Sequence, residues 1–135
     1  NPDIILNAVG TDSRIGGKYL KPGFGFGGPC FPRDNRALAK CAEEVGIDAI
    51  ISKATDEMNK SHLENQINFI KENYGKEDVI EIEYLTFKKE SDSFQESQQL
   101  EFAKRLQSEG FRVRVKDERE EIIKIANDKY GIKLI

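Results

Sequence analysis

Between Gly23 and Pro29 glycine and proline disfavour regular secondary structure in this chain. The run Gly23-Phe24-Gly25-Phe26-Gly27-Gly28-Pro29-Cys30-Phe31-Pro32-Arg33-Asp34 carries four glycines, and two prolines bracket its one cysteine. Glycine frees the backbone for positive φ or for close approach to a ligand. Proline fixes φ and stiffens the turn that presents the thiol. A helix is expected to begin at once, which sets Cys30 near a helix N-terminus. Such a position favours the thiolate, the reactive form of cysteine. Connections longer than about 12–15 residues without structure of their own are mostly functional or disordered. Residues 10–34 make such a connection, and Tyr19, Phe24, Phe26 and Phe31 within it argue against disorder.

Composition narrows the function classes. The chain has 135 residues, 33% of them charged, which fits one modest domain or parts of two. A net charge of −3 gives no general electrostatic case for nucleic acid or an anionic membrane. The apolar runs are only a few residues long, so no transmembrane span is expected. Asn1-Pro2-Asp3-Ile4-Ile5-Leu6 has neither the basic start nor the apolar core of a signal peptide. Cys30 and Cys41 make no disulfide framework, and a reduced, cytoplasmic chain is the simplest reading. Cys41 is expected to pack as a small hydrophobe beside Leu38, Ala42 and Val45.

Apolar spacing supplies the elements. Residues 1–9 read as the tail of an apolar element. Asp34 or Asn35 is placed to cap a helix running to about Val45, with Gly46 as its stop. Asp48 is placed to cap a longer helix reaching about Tyr74, with Ile51, Ala54, Met58, Ile67, Ile70 and Tyr74 as its stripe. A helix of that length often bridges two lobes. Val79–Phe87 reads as a strand, Ser91–Ser97 as a polar loop, and Ser97–Glu109 as a helix closed by Gly110. Phe111–Val115 is a second strand. Glu118–Lys129 is a helix with Ile122, Ile125 and Ala126 inward, and Ile132–Ile135 begins a third strand. The expected fold class is α/β: a helical unit over residues 1–75 ending in a long linking helix, then a partial doubly wound, Rossmann-like parallel sheet over 76–135.

Several residues admit a chemical and a plain structural reading. Gly23, Gly25 and Gly28 have the spacing of a dinucleotide fingerprint, but the fingerprint needs a strand before it and a βαβ unit around it. The proline-broken Lys18-Tyr19-Leu20-Lys21-Pro22 supplies neither. Cys30 is either a nucleophile or a buried structural thiol. Asp34, four residues on, is either a base and water orienter or a helix cap. Arg14, Lys18, Lys21 and Arg33 are either a phosphate clamp or ordinary surface. His62, the only histidine, reads as an unremarkable mid-helix side chain, and no Cys/His cluster has metal-site spacing. Asp117-Glu118-Arg119-Glu120-Glu121 reads as the solvated first turn of a helix.

Two blocks carry a resemblance. Asp12-Ser13-Arg14-Ile15-Gly16, Tyr19-Leu20-Lys21-Pro22-Gly23 and Gly25 to Asp34 resemble the UDP-glucose/GDP-mannose dehydrogenase family, whose pattern runs D-x-R-I-G and then G-[FY]-G-G-x-C-[FL]-x-K-D. Leu85-Thr86-Phe87-Lys88, Ser91-Asp92 and Glu96-Ser97 are similar to its L-T-F-K-x-x-x-x-D-x-R-E-S segment. The resemblance spans nearly the whole chain, and its first block is the more specific. It implies a piece of a longer NAD-dependent enzyme: the end of a helical central domain that forms a homodimer, then part of a C-terminal domain that holds the UDP-sugar. NAD would be held mainly by a further domain, with Arg33 assisting. By position Cys30 matches the nucleophile and Asp34 the aspartate that assists water chemistry. Phe26, Gly27 and Gly28 would line the sugar. Tyr19, Leu20, Lys21 and Gly23 match a substrate loop, and Arg14 an arginine that reaches the partner subunit's substrate. Phe87 and Lys88 match nucleotide-contacting positions.

The chain departs from the pattern in three places. Arg33 stands for a lysine, Gln95 for an arginine that helps hold NAD, and Glu83-Tyr84 for a small, Gly-containing strand end. The glucose branch is favoured, because the N-acetyl-hexosamine branch usually has histidine where Pro29 stands. The alternatives are a dehydrogenase for UDP-N-acetyl-hexosamine or GDP-mannose, and a silent binding or oligomerisation module. The chain by itself is expected to lack dehydrogenase activity; NADH formed by the isolated chain with UDP-glucose would overturn that.

Overall fold

Each helix of the chain starts and stops where local chemistry allows it. A computed structural model describes residues 1–133. Helix α1 (Pro2–Gly10) begins with proline at its first position and with the Asn1 side chain accepting from the Asp3 amide. No residue of α1 is buried. Helix α2 (Phe31–Glu44) begins one residue after Cys30, with Pro32 in its first turn. Helix α3 (Ile50–Asn73) has 24 residues, a span of roughly 36 Å at the usual rise. Strand β1 (Val79–Ile82) follows, then α4 (Gln98–Ser108), β2 (Arg112–Val115) and α5 (Glu120–Tyr130).

The strands pair in parallel, Val79 opposite Arg112 through Ile82 opposite Val115, with α4 as the crossover. Ile80, Ile82 and Val113 are buried, while Glu81, Arg112 and Arg114 are exposed. The sheet therefore has one core face and one charged face, on which Glu81 pairs with Lys116 at 2.6 Å. The core gathers these strand residues with Leu85, Phe94, Leu100, Phe102, Ala103, Leu106, Phe111, Ile122, Ala126 and Ile132, and with Leu63 and Ile67 of α3. Burying each large apolar side chain contributes about 1.5–3 kcal/mol. The stability of the molecule therefore rests on the α/β half and the C-terminal part of α3.

Polar contacts add to that packing. The Ser97 hydroxyl caps α4 by accepting from the Leu100 amide at 3.2 Å and donates to the Leu85 carbonyl at 2.7 Å. Arg105 of α4 forks onto Glu64 of α3, and Lys71 reaches Glu109 at 2.8 Å. At its other end α3 packs on α2. There Ser52 donates to the Asn35 carbonyl at 2.6 Å, and Asn35 Nδ2 donates to the Ser52 carbonyl at 2.8 Å.

Several expectations change. Residues 2–10 are helical. The α2 start is four residues earlier than a cap at Asp34 requires, so Asp34 lies in the first turn. Cys41 is exposed, as are Leu38 at 62% and Val45 at 71%, because the apolar side of α2 meets no other element. On α3 only the C-terminal part of the stripe is covered: Ile67 is buried and Ile70 packs on the core, but Ile51 is 83% exposed, and Ala54, Met58 and Tyr74 are also exposed. Asp48 caps nothing; it pairs with Lys53 at 2.9 Å. The first strand stops at Ile82, because residues 83–97 turn away to meet the glycine-rich loop. Ile125 is 40% exposed. Only the end of the acidic run opens α5: Glu120 and Glu121 form its exposed first turn, whereas Asp117 and Glu118 precede it and the Asp117 side chain is only 5% exposed. Of the expected third strand, Ile132 is buried without being in a strand, and 134–135 lie outside the described residues.

Candidate active site

Cys30 occupies the N-cap position of α2, with φ −103° and ψ −67°, and its side chain is exposed. Its carbonyl accepts the first helical hydrogen bond, from the Asp34 amide at 2.8 Å. Buried Pro32 anchors the turn just after it. Asp34 lies one helical turn along, so the two residues share a face. The Asp34 carboxylate accepts from Arg33 Nε at 2.7 Å, and that bond holds Asp34 below the usual carboxylate range. At neutral pH Asp34 is thus a hydrogen-bond acceptor, suited to orienting water. The Arg33 guanidinium is raised in turn, first by the hydrogen bond to Asp34, then by its charge, and last by Cys30. Arg33 and Asp34 therefore form an ion pair in the first turn after Cys30.

The glycine-rich loop is held from two sides. Helix α3 supplies one: Asn59 Nδ2 donates to the Phe26 carbonyl at 2.8 Å, and His62 Nε2 sits 2.6 Å from the Gly23 carbonyl, which also accepts from Gln66. The 83–97 connection supplies the other. Gly28 N–H donates to the Gln95 carbonyl at 2.9 Å. Gly28 has φ +89°, and a Cβ there would stand 2.6 Å from the Phe87 ring. A Cβ on Gly27 would overlap the Glu96 carbonyl. The room left by the missing side chains is thus filled by the protein's own Phe87 and Glu96 on that side. Phe24 packs edge-on against Phe102 of α4 at 5.2 Å, which fixes the start of the loop to the core.

The expected site residues divide into two sets. Phe26, Gly27, Gly28, Cys30, Arg33, Asp34 and Phe87 come together around the turn. Arg14 is exposed, and Asp12 accepts from its guanidinium at 3.0 and 2.6 Å. Tyr19 is 96% exposed, Leu20 is half-buried, and Lys21, Gly23 and Lys88 are exposed. His62 is a tether of the loop, which its position mid-helix did not disclose. The available signal was polar periodicity: Ser52, Asn59 and Gln66 recur every seven residues, with His62 on the same side. The glycines form no dinucleotide cradle, since among the described residues no strand leads into them and the Arg33 Nε is engaged by Asp34. Among the described residues no group of three acidic, His or Cys side chains is placed to hold a metal, and no helix is long and apolar enough to cross a membrane.

A second concave region lies at the C-terminal ends of β1 and β2, where open α/β sheets bind ligands. Glu83, Tyr84, Lys89, Asp92, Lys116 and Arg119 line a cavity of about 640 Å³ there. Arg119 spans it, donating to the Ser91 carbonyl at 2.9 Å and to Asp117 at 2.8 and 2.6 Å.

Known proteins share this layout. The family model for the UDP-glucose/GDP-mannose dehydrogenase central domain matches residues 1–61. UDP-glucose 6-dehydrogenase TuaD of Bacillus subtilis is 34% identical over 118 residues, 84% of this chain and 25% of that protein. GDP-mannose 6-dehydrogenase of Pseudomonas putida is 31% identical over 141 aligned positions, 93% of this chain and 32% of that protein. The chain thus spans about a quarter to a third of the length of these relatives. A solved UDP-glucose dehydrogenase from the hyperthermophilic archaeon Pyrobaculum islandicum superposes with a TM-score of 0.81 at 32% identity, covering 97% of this chain and 30% of that one. Sequence and fold agree from the first helix through the parallel strand pair, and the chain belongs to the UDP-glucose/GDP-mannose dehydrogenase family.

Proposed function

We propose that this chain supplies the thiol and part of the nucleotide-binding surface of an NAD-dependent nucleotide-sugar dehydrogenase that oxidises UDP-glucose to UDP-glucuronate. The observation that carries the reading is the exposed Cys30 at the start of α2, on a turn clamped by α3 and by the 83–97 connection, with Asp34 one helical turn away. Residues 1–75 are the helical part of the central domain and 76–135 part of the nucleotide-holding domain. The two hydride transfers of such a reaction belong to NAD, and the described residues offer it no cradle of their own. Their share is the thiol chemistry. The Cys30 sulfur adds to the carbonyl carbon of the C6 aldehyde, and the carbonyl oxygen takes up a proton to give a thiohemiacetal. At the later thioester, water held by Asp34 gives a proton to its carboxylate and adds to the carbonyl carbon, the C–S bond breaks, and the sulfur leaves as thiolate.

The aldehyde itself tests this. UDP-glucose 6-aldehyde is expected to protect Cys30, and not Cys41 on the same helix, from iodoacetamide. Equal labelling of the two cysteines with and without the aldehyde would sink the reading. A second reading, with GDP-mannose as substrate, is favoured by the 31% identical relative; stronger protection by the GDP-mannose aldehyde would select it. Pro29 before Cys30 argues against the N-acetyl-hexosamine branch, which usually has histidine there.

The partner we propose is a second copy of the chain, meeting it through residues 1–75. Ile4, Ile5, Leu38, Val45, Ile51 and Met58 are each more than half exposed there, an apolar surface that association would remove from water. Sedimentation of the purified chain as a monomer at high concentration would refute this.

A further inference from the structure

We propose that Arg36 is a positioning residue for Cys30: by forking onto Glu96 it fixes the connection whose Gln95 carbonyl holds the cysteine turn. Arg36 lies on α2, six residues after Cys30. Its Nη1 and Nη2 donate to the two Glu96 carboxylate oxygens, each at 2.8 Å. Its Nε donates to Asp56 of α3 at 3.1 Å, and Asp56 also pairs with Lys60 at 2.9 Å. One guanidinium thereby joins three parts of the molecule: α2, α3 and the connection before α4. A paired fork of this kind fixes orientation as well as distance.

The connection is where the cysteine turn rests. The Gln95 carbonyl takes the Gly28 amide, and the Glu96 carbonyl lies closer to Gly27 than a residue with a Cβ would permit. Glu96 itself has φ +48°, the one non-glycine residue with positive φ among those described. A residue in that region persists only when its surroundings hold it there. Here the holding groups are the Arg36 fork on its side chain and Ser97, which caps α4 immediately after it. If the fork is lost, Glu96 can relax, its carbonyl and that of Gln95 turn, and the Gly27–Cys30 turn loses one of its two supports. Helix α2 would remain, because Asn35 and Ser52 still fasten it to α3. The effect is therefore on where the thiol points, not on whether the helix forms.

This inference rests on Cys30 being the nucleophile, but its test needs no sugar. Residue-resolved hydrogen exchange on the 135-residue chain reads the Gly28 amide directly. In Arg36→Gln and Glu96→Gln that amide is expected to exchange about tenfold faster, while the amides of Leu106 and Val113 stay within about twofold of wild type. Arg36→Lys keeps the charge without the fork and is expected to lie between. Glu96→Gly separates the side chain from the backbone. If only the φ of residue 96 mattered, glycine would protect Gly28 as well as glutamate does; the fork predicts that it fails as glutamine does. Wild-type protection of Gly28 in Arg36→Gln, or in Glu96→Gly, overturns the proposal. Should Arg36→Gln also lose protection at Leu106 and Val113, Arg36→Lys decides: faster exchange at Gly28 with an intact core supports the clamp, and unchanged exchange overturns it. Aldehyde protection of Cys30 in the wild-type chain is a separate readout, so either result can fail without the other.

Discussion

Gly28 answers two demands at once. Its φ of +89° disfavours any side chain, and the Phe87 ring fills the space a Cβ would need. The two demands can be told apart. Gly28→Ala is expected to cost about 1–2 kcal/mol from the backbone alone, and about 1–3 kcal/mol more from crowding against the ring. Phe87→Ala removes the second cost and leaves the first. The double variant is therefore expected to be more stable than the sum of the single losses, by about 1–3 kcal/mol, in urea unfolding. Additive losses would show that the ring does not press on Gly28. The sequence marks this glycine as special through its neighbours Gly27 and Pro29. It does not say what approaches the glycine, because Phe87 lies 59 positions away and only the fold joins them. The same holds for Asn59 and His62, which reach backbone carbonyls and so leave no side-chain partner to detect in the sequence.

At the scale of elements, boundaries were legible where the signal is local. Ser97 caps α4 and Gly110 follows its end, as polar and glycine signals predict. Boundaries set by tertiary contact were not. The early start of α2 is the exception, because Pro32 in its first turn is a local signal that the caps at Asp34 and Asn35 obscured. β1 stops early because 83–97 must cross to the cysteine turn. The apolar stripes of α2 and of the first half of α3 stay exposed, since the two helices meet through other residues, Asn35 and Ser52 among them. The connection from β2 to α5 misled for a different reason. A run of five charged residues suggests solvent, yet Asp117 is turned inward, where it accepts from the Arg119 amide at 3.1 Å and from its guanidinium. These bonds, the Arg119 side chain first, lower the Asp117 pKa. A carboxylate whose folded pKa is depressed stabilises the fold fully above its unfolded value. That value is about 3.9, and the contribution is lost as pH falls from there through the folded pKa. Asp117→Asn is expected to lower the urea midpoint at neutral pH and to flatten the fall in stability below about pH 4. Parallel acid limbs for the two proteins would show that Asp117 contributes nothing there.

For the whole molecule, the distribution of burial sets the order in which parts open. One continuous apolar cluster joins the sheet, α4, α5 and the C-terminal part of α3, whereas α1 buries no residue. The cysteine turn lies between them. It is fastened to the cluster through Phe24, to the 83–97 connection through the Gly28–Gln95 hydrogen bond, and to the N-terminal part of α3 through Asn59. Amide exchange in α1 is therefore expected to need only local opening, while Leu106, Val113 and Ala126 exchange by global unfolding. Leu106→Ala separates these routes. Its side chain is fully buried, so truncation is expected to cost about 2–5 kcal/mol. The loss should appear in full at the amides of Val113, Ala126 and Ile67, because one cluster carries them all. At α1 the exchange rate should not change, since opening there exposes nothing that Leu106 supports. Gly28 is the informative position between the two. If it loses as much protection as Val113, the cysteine turn opens only with the core, and the thiol is held by the fold as a whole. If it keeps its wild-type rate, the turn opens on its own, and its tethers to Asn59, Gln95 and the Arg36–Glu96 fork set how long Cys30 stays in place.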